Sequence, residues 1–388
     1  MHTRGISFEF ATATRIVFGP GALAQAGASA REFGKAALVV TGRDTARASK
    51  LIGLLEEKGV KCVLFPAACE PTTQTVEAGL ARARESACEM VISLGGGAAL
   101  DAGKAIAAML RNPGTLLDYL EVVGLAKTLP NPGAPFLAIP TTAGTGSEVT
   151  RNAVLASPEH KVKVSLRSPF MLPKVAIVDP QLTIDLPPAV TAATGLDALT
   201  QVVEPYLCLR ANPMIDVLCL DAMARVARSL RTAFSSGHDI EARQDMALAS
   251  LYGGLALANA GLGAVHGIAG PLGGMFPAPH GAVCAALLPH AFYVNQQAVR
   301  SRGTADSLAR FDRVAAVLTG RPDATAADAV DWLTRLVQDL QIPPLATYGI
   351  EPSCFPEIVK KSAAASSMKA NPVVLSAEEI STILSRAV

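Results

Sequence analysis

Residues 90–104 read MVISLGGGAALDAGK, and this stretch decides the fold. Its first five residues form a short apolar run, typical of a strand in a parallel sheet that is covered on both faces. Three glycines follow, and a helical pattern comes after them. Glycine lets the backbone approach a pyrophosphate closely, and the free N–H groups at a helix start favour that anion. We predict a nucleotide-binding turn, although the spacing is not G-x-G-x-x-G and a tight turn without a ligand is the alternative.

Four further apolar runs of this kind alternate with helical segments, at residues 36–40, 61–65, 136–140 and 175–179. This alternation predicts a doubly wound α/β domain. After about residue 186 such runs stop, and long Ala- and Leu-rich helical patterns follow, at residues 213–234, 242–260 and 324–340. We therefore predict an α/β dinucleotide-binding domain over residues 1–186 and an all-α domain over residues 187–388.

The composition excludes several classes of partner. The chain has 34 Lys and Arg against 33 Asp and Glu, a net charge of +1, so it has no strong field for nucleic acid or an acidic membrane surface. Mean hydropathy is +0.34, yet no apolar run reaches the roughly 18 residues of a membrane span.

The seven cysteines form no C-x-x-C pair. The first residues lack the apolar core of a secretory signal, so we expect reduced thiols and a cytoplasmic protein.

Two other patterns carry polar residues suited to binding or catalysis. Residues 140–148, PTTAGTGSE, follow a predicted strand and offer short hydroxyl donors for a ribose, a diphosphate or a nicotinamide, although an ordinary Thr/Gly turn has the same composition. In the helical half, Asp197 and Gln201 are four residues apart and share one helix face. His266 and His280 lie in nearly uncharged segments. One carboxylate with two imidazoles suits Zn²⁺ or Fe²⁺, and hydrogen-bonded core histidines are the alternative.

These motifs, in this order, resemble the iron-containing (group III) alcohol dehydrogenase family over nearly the whole chain. The family pattern G-G-G-S-x-x-D-x-x-K is similar to residues 95–104, with Ala98 in place of Ser, and P-T-T-x-G-T-G-S-E is intact at residues 140–148. The resemblance implies the dehydroquinate synthase-like fold, with a metal and a nicotinamide in the cleft between the two domains. It also implies hydride transfer between NAD or NADP and a small alcohol or carbonyl substrate, in a homodimer or larger homo-oligomer.

The resemblance assigns roles to two sets of residues. The coenzyme set comprises the pyrophosphate contacts Gly95, Gly96, Gly97 and Ala98, the helix-start residue Asp101, the ribose and nicotinamide contacts Thr141, Thr142 and Thr145, and Lys163 at a ribose hydroxyl. The metal set, for Fe²⁺ or Zn²⁺, comprises Asp197, Gln201, His266 and His280. Asp197, His266 and His280 are also the expected catalytic residues.

Three positions depart from the family pattern. Gln201 stands where a ligand His is typical, and an amide oxygen is a poorer ligand for such a metal than imidazole. Gly270 stands where many members carry a further His, so a candidate acid or base is missing. The turn at Gly42 and Arg43 lacks the acidic residue of NAD-preferring members. Arg43 can then pair with the 2′-phosphate of NADP, or it is simply a solvated side chain.

These departures keep other functions in view beside metal-assisted alcohol oxidation and carbonyl reduction. A maleylacetate reductase-like enzyme works without metal, but residues 261–279 contain no Arg or Lys to bind its two substrate carboxylates. A non-redox NAD-dependent lyase such as a dehydroquinate synthase needs basic residues for a phosphorylated substrate, and the ligand segments are nearly uncharged. An inactive scaffold that only binds the coenzyme is the last alternative.

Overall fold

A computed structural model describes residues 6–67, 70–160 and 162–388 of the chain. Residues 1–5, where no secretory signal is predicted, and Cys69 lie outside these ranges. Two compact units are present among the described residues: Thr12–Asp185, and Leu186–Val388 together with residues 6–11. The backbone of Ala11 joins the helical unit by exchanging two hydrogen bonds with the side chain of Asn259. The sequence-based boundary had grouped these first residues with the α/β domain.

The first unit is built on parallel strands with helices between them. Its strands are β1 (Arg15–Phe18), β2 (Ala36–Thr41), β3 (Lys61–Pro66), β4 (Met90–Gly95), β5 (Phe136–Pro140), β6 (Asn152–Ser157), β7 (Val162–Arg167) and β8 (Val175–Val178). Its helices are α1 (Ala26–Arg31), α2 (Ser49–Glu56), α3 (Thr73–Glu85), α4 (Gly97–Leu110) and α5 (Leu116–Tyr119). Six strands form one parallel sheet in the order β1-β8-β5-β4-β2-β3, while β6 and β7 form an antiparallel hairpin.

Strand β4 shows why the apolar runs are continuous. Successive side chains of a strand point to opposite faces of its sheet. Val91 accordingly packs in a core with residues of α3 and α4, and Ile92 packs in another core with residues of α1 and α2. Because helices cover both faces, every residue of β4 is buried. The predicted doubly wound arrangement is confirmed.

The order in which strands are added to the sheet reverses between β2 and β4. From β2 the chain moves outward to β3, and it then returns past β2 to add β4 on the other side. The loops that leave β2 and β4 therefore diverge at the carboxyl edge of the sheet. Such a reversal of strand order is where open α/β sheets bind their ligands.

β1 and the β6–β7 hairpin were not predicted from the sequence. β1 has only four residues, lies at an edge of the sheet and pairs only with β8, so it is half-buried and lacks a long apolar run. In β6, buried residues alternate with more exposed ones. This alternation differs from the continuous apolar pattern that marks the strands of the parallel sheet.

The second unit is helical, as predicted. Its helices are α6 (Pro188–Leu207), α7 (Pro213–Ser235), α8 (Ile240–Asn259), α9 (Ala264–Met275), α10 (His280–Arg302), α11 (Ala305–Thr319), α12 (Ala326–Asp339), α13 (Phe355–Ala364) and α14 (Ala377–Ala387). Helix α6 packs against α7, α8 and α10, and its last thirteen residues, 195–207, are all buried. Within the described ranges, no single helix is long and apolar enough to cross a membrane; α8 and α9 meet that criterion only as a pair bent by 94°.

Candidate active site

Three loops meet at the carboxyl edge of the parallel sheet, and glycines allow their close approach. A Cβ on Gly95 would lie 2.6 Å from the Cβ of Ala99 and 3.6 Å from the backbone nitrogen of Gly42, in the loop after β2. A Cβ on Gly97 would lie 2.9 Å from Cγ2 of Thr145, in the loop after β5. Side chains at these positions would collide with the neighbouring groups. The bare backbone therefore forms a cradle at the start of α4.

The cradle suits an anion. Helix α4 starts directly after Gly96, whose backbone is extended and which has no side chain to cap the first N–H groups. Those N–H groups and the positive end of the helix dipole favour a phosphate. A Cβ on Gly96 would lie 3.3 Å from Oγ1 of Thr142, so that hydroxyl lies beside the cradle. Thr141 donates its backbone N–H to the carbonyl oxygen of Gly95 at 3.0 Å.

Asp101 and Lys104, the remaining polar residues of the α4 motif, are engaged with the chain itself. The two carboxylate oxygens of Asp101 accept hydrogen bonds from the hydroxyl of Ser147, at 2.6 Å, and from the N–H of Val154, at 2.9 Å. Lys104 is 1% exposed and its ammonium group lies 3.6 Å from Asp101. Its three N–H groups are shared among four acceptors at 2.8–2.9 Å, which are the carbonyl and hydroxyl of Ser147, Oγ1 of Thr150 and the carbonyl of Asn152. Asp101 and Lys104 thus fix the segment from Ser147 to Val154 against α4.

Two further predicted coenzyme residues lie outside α4 and outside the loop after β5. Lys163 is on β7, and its ammonium group donates to Glu70 at 2.6 Å. Arg43 follows Gly42 directly and is exposed. A Cβ on Gly42 would meet nothing within 4 Å, so that position has space for a side chain.

The helical unit brings a second group of residues together. Helix α6 carries Asp197, α9 carries His266 in its first turn, and α10 begins with His280. Oδ1 of Asp197 lies 3.4 Å from Nε2 of His266 and 3.8 Å from Nε2 of His280. Cys284 joins them one turn along α10, with its Sγ 3.6 Å from Nε2 of His280. The four ligand atoms all lie within 4.8 Å of one another.

Glu204 orients one of these imidazoles. Its Oε2 lies 2.7 Å from Nδ1 of His266, and its Oε1 accepts the N–H of Val265 at 2.6 Å. One buried carboxylate therefore both caps the start of α9 and holds the His266 ring. When Nδ1–H is donated to Glu204, Nε2 is the ring nitrogen left to bind a metal ion, and it lies 3.4 Å from Oδ1 of Asp197. A carboxylate behind an imidazole is the usual outer-shell arrangement of a metal-binding histidine.

The electrostatics of this group favour a bound cation. Burial alone would raise the pKa of Asp197, but the nearby His280 and His266 outweigh burial and hold that pKa below its usual value. Burial alone would lower the pKa of His266, but Cys284, Asp197 and Glu204 outweigh it and raise that pKa well above its ordinary value. A bound dication would replace protons in such a site.

Two buried atoms test whether a metal fits. Oδ1 of Asp197 and Nε2 of His266 have no hydrogen-bond partner among the described residues. Asp197 is only 2% exposed and His266 8% exposed. Leaving buried polar atoms unpaired costs about 1–3 kcal/mol each. The two atoms lie 3.4 Å apart, and a carboxylate oxygen and an imidazole nitrogen are suitable ligands for Zn²⁺ or Fe²⁺. The residues fit a divalent metal.

Two residues of the helical unit, Gln201 and Gly270, depart from the family pattern. Gln201 is buried one turn after Asp197. A Cβ added to Gly253 of α8 would lie 3.6 Å from the amide nitrogen of Gln201. Gln201 therefore packs against helix α8, and its role as a ligand remains a prediction. Gly270 follows His266 by one turn of α9, and a Cβ there would meet nothing within 4 Å.

Sequence reasoning missed Cys284 and Glu204. The rule that joined Asp197 to Gln201, four residues apart on one helix face, joins His280 to Cys284 equally well. Glu204 could have been found in another way. It is a charged residue in the apolar segment VVEPYL of α6, and a buried charge needs a polar partner.

Comparison with known proteins now identifies the family. The family model "Iron-containing alcohol dehydrogenase" matches residues 13–180, and the model of the C-terminal part of Fe-containing alcohol dehydrogenases matches residues 191–388. The chain belongs to the iron-containing alcohol dehydrogenase family. It is similar to 1,3-propanediol dehydrogenase of Klebsiella pneumoniae, with 36% identity over 98% of each chain. It is also similar to long-chain-alcohol dehydrogenase 1 of Geobacillus thermodenitrificans, with 41% identity over 75% of this chain and 72% of the relative.

A solved structure gives the same result for the fold. The crystal structure of a 1,3-propanediol oxidoreductase matches with a TM-score of 0.91 and 36% identity, over 98% of this chain and all of the other. As a member of this family, the chain is an oxidoreductase that acts on CH–OH groups, with NAD or NADP as coenzyme and a divalent metal. The maleylacetate reductase alternative is not favoured by these relatives.

Proposed function

We propose that the chain interconverts primary alcohols and their aldehydes at a divalent metal held by Asp197, His266 and His280. The observation that carries the metal site is the pair of buried, unpartnered atoms on Asp197 and His266, which lie 3.4 Å apart. The choice of primary alcohols is supported by the relatives named for 1,3-propanediol and for long-chain alcohols.

Each residue of the site has a distinct task in this proposal. The metal, when bound, stabilises negative charge on the substrate oxygen as hydride leaves the carbon or arrives there. Asp197 supplies the anionic ligand. Glu204 keeps the proton of His266 on Nδ1, so that Nε2 stays free to bind. The alignment of metal ligands is set by packed helices rather than by loops.

The coenzyme half of the proposal rests on the glycine cradle. Gly95, Gly96, Gly97 and Ala98 bind the pyrophosphate through backbone N–H groups, and Thr141, Thr142 and Thr145 line the ribose and nicotinamide. Lys163 contacts a ribose hydroxyl from the hairpin. Asp101 acts mainly by holding the adjacent segment, since both its oxygens accept hydrogen bonds from that segment.

The direct test is coenzyme-linked oxidation of 1,3-propanediol and a series of straight-chain primary alcohols, followed by absorbance of NADH or NADPH. We expect turnover with several of these alcohols. Exhaustive chelation should lower kcat/KM by about 100-fold or more, and Zn²⁺ or Fe²⁺ should restore it. Reduction of maleylacetate by the metal-free protein, or coenzyme binding without turnover of any alcohol or aldehyde, would contradict the proposal.

Coenzyme choice is a separate part of the proposal. With glycine at position 42 no carboxylate repels a 2′-phosphate, so we expect the enzyme to use NADP as well as NAD. Gly42→Asp should lower the ratio of kcat/KM for NADP over NAD by about 10-fold or more, because it adds a charge that repels phosphate and can bind the 2′-hydroxyl. The open space at Gly42 accommodates the new side chain.

A matched control for this substitution is Gly53→Asp. Gly53 lies on α2 in the same unit and also has open space around its Cβ position. The same charge placed there should leave the coenzyme ratio unchanged. Equal effects of the two substitutions would show that net charge, and not the position, determines coenzyme choice.

A cytoplasmic location and a homodimeric or larger assembly complete the proposal. The six cysteines that the structure describes form no disulfide, and a reducing compartment maintains cysteines in this state. Sedimentation of the purified enzyme would determine the number of subunits.

A further inference from the structure

Cys284 is the fourth side chain of the group formed with Asp197, His266 and His280. We propose that its thiolate is a metal ligand, taking the part of the family ligand that Gln201 replaces. This inference rests on the proposed metal site and adds to it a residue outside the family's ligand pattern.

The distances fit one coordination sphere. With metal–nitrogen bonds of about 2.05 Å and a metal–sulfur bond of about 2.3 Å, tetrahedral geometry separates nitrogen from sulfur by about 3.6 Å, and nitrogen from a carboxylate oxygen by about 3.3 Å. Sγ of Cys284 lies 3.6 Å from Nε2 of His280. Oδ1 of Asp197 lies 3.4 Å from Nε2 of His266. One ion can therefore reach all four side chains with little movement.

The surroundings of Cys284 are unusual for a buried thiol. A free buried cysteine ordinarily packs as a small apolar side chain. Cys284 is fully buried, yet its sulfur lies within 4.8 Å of two imidazole nitrogens and a carboxylate oxygen. Two of those polar atoms, on Asp197 and His266, have no hydrogen-bond partner among the described residues. The unpaired atoms point to a ligand independently of the thiol itself.

Helix spacing explains how the replacement works. In the family pattern the ligand pair one turn apart on a helix is the Asp and the His whose positions are Asp197 and Gln201 here. In this chain the pair one turn apart is His280 and Cys284, on the first two turns of α10. The site then still has four ligands, but the helix that supplies two of them one turn apart is α10 instead of α6.

A thiolate changes the chemistry of the site. Together, Asp197 and Cys284 neutralise a divalent ion, whereas one carboxylate with three imidazoles leaves a charge of +1. Thiolates are soft ligands and favour Zn²⁺ over Fe²⁺. We therefore expect the purified protein to retain Zn²⁺ in preference to Fe²⁺ when both are supplied.

Cobalt substitution tests the thiolate directly. Co²⁺ bound to a thiolate gives an intense near-ultraviolet charge-transfer band, which Co²⁺ bound only by nitrogen and oxygen lacks. We expect the Co²⁺-loaded full-length enzyme to show this band. Cys284→Ser should abolish the band while still binding Co²⁺, and should weaken Zn²⁺ binding by about 100-fold, measured by competition with a chromogenic chelator.

Two further variants complete the experiment. Cys219→Ser removes another buried thiol, on α7, and should leave the band and the Zn²⁺ affinity unchanged. Gln201→His combined with Cys284→Ser restores the family's ligand type and should recover Zn²⁺ affinity without the band. Circular dichroism shows that each variant is folded, and Cys284→Ala serves if the serine variant is not.

The outcomes separate this inference from the proposal beneath it. Stoichiometric Co²⁺ without a charge-transfer band, or a band that survives in Cys284→Ser, would overturn the thiolate ligand and leave the site of Asp197, His266 and His280 intact. A thiol that only hydrogen-bonds His280 would give the first of these results. No binding of Co²⁺ or Zn²⁺ at all would overturn both.

Discussion

Asp197→Asn should leave a folded enzyme that retains almost no metal and has lost at least about 1,000-fold in kcat/KM for alcohol oxidation. That loss corresponds to about 4 kcal/mol of transition-state stabilisation. The substitution keeps the shape of the side chain but removes its negative charge, and an amide oxygen binds Zn²⁺ or Fe²⁺ poorly. Metal content by elemental analysis and coenzyme-linked turnover measure the two effects.

The control is Asp221→Asn on α7, where the carboxylate pairs with Arg225 and is exposed to solvent. It removes the same charge outside the metal group and should keep full metal content and activity. An Asp197→Asn enzyme with wild-type metal content would show that this aspartate is not a ligand. Wild-type turnover without metal would show that the metal is not needed.

Lys104→Met should destabilise the α/β unit by about 3 kcal/mol or more. The Lys104 ammonium is buried and donates hydrogen bonds to backbone and hydroxyl acceptors of Ser147, Thr150 and Asn152. Removing it takes the charged donor away from these acceptors and the nearby cation away from Asp101, and breaking a buried charge network costs several kcal/mol. The fall in the urea midpoint, followed by circular dichroism, measures the effect.

Lys50→Met is the corresponding control, since Lys50 is exposed on α2. Removal of a surface charge usually changes stability by less than about 0.5 kcal/mol. Because the segment from Ser147 to Val154 is fixed by Asp101 and Lys104, Lys104→Met should also weaken coenzyme binding. Equal urea midpoints for Lys104→Met and Lys50→Met would refute the structural role given to Lys104.

The parts of the fold that the sequence predicts are those with a simple periodic signature. Strands buried on both faces read as unbroken apolar runs, so β2 to β5 and β8 were predicted to within about a residue. β1 has no such run because it is a short edge strand. The order of strands in the sheet depends on which pairs meet in space, and no local pattern encodes that order.

Some residues of the candidate site were predicted from the sequence, and others are recognised only from the tertiary structure. Asp197, His266 and His280 drew notice because polar residues are rare in their segments, and the structure brings them together. Cys284 carried no such signal, since a cysteine in an Ala-rich helix is typical of an apolar core. Its placement beside two imidazoles depends on how α6, α9 and α10 pack. The hydrogen bonds that engage Asp101 with Ser147 and Val154 likewise depend on tertiary contacts.

The most direct test of the metal-assisted mechanism is a titration of the metal-free enzyme with Zn²⁺ or Fe²⁺, with metal per chain and alcohol oxidation measured on the same samples. We predict that activity rises in proportion to bound metal and reaches its maximum at one ion per chain. Full turnover in a sample shown by elemental analysis to contain no metal would contradict this mechanism.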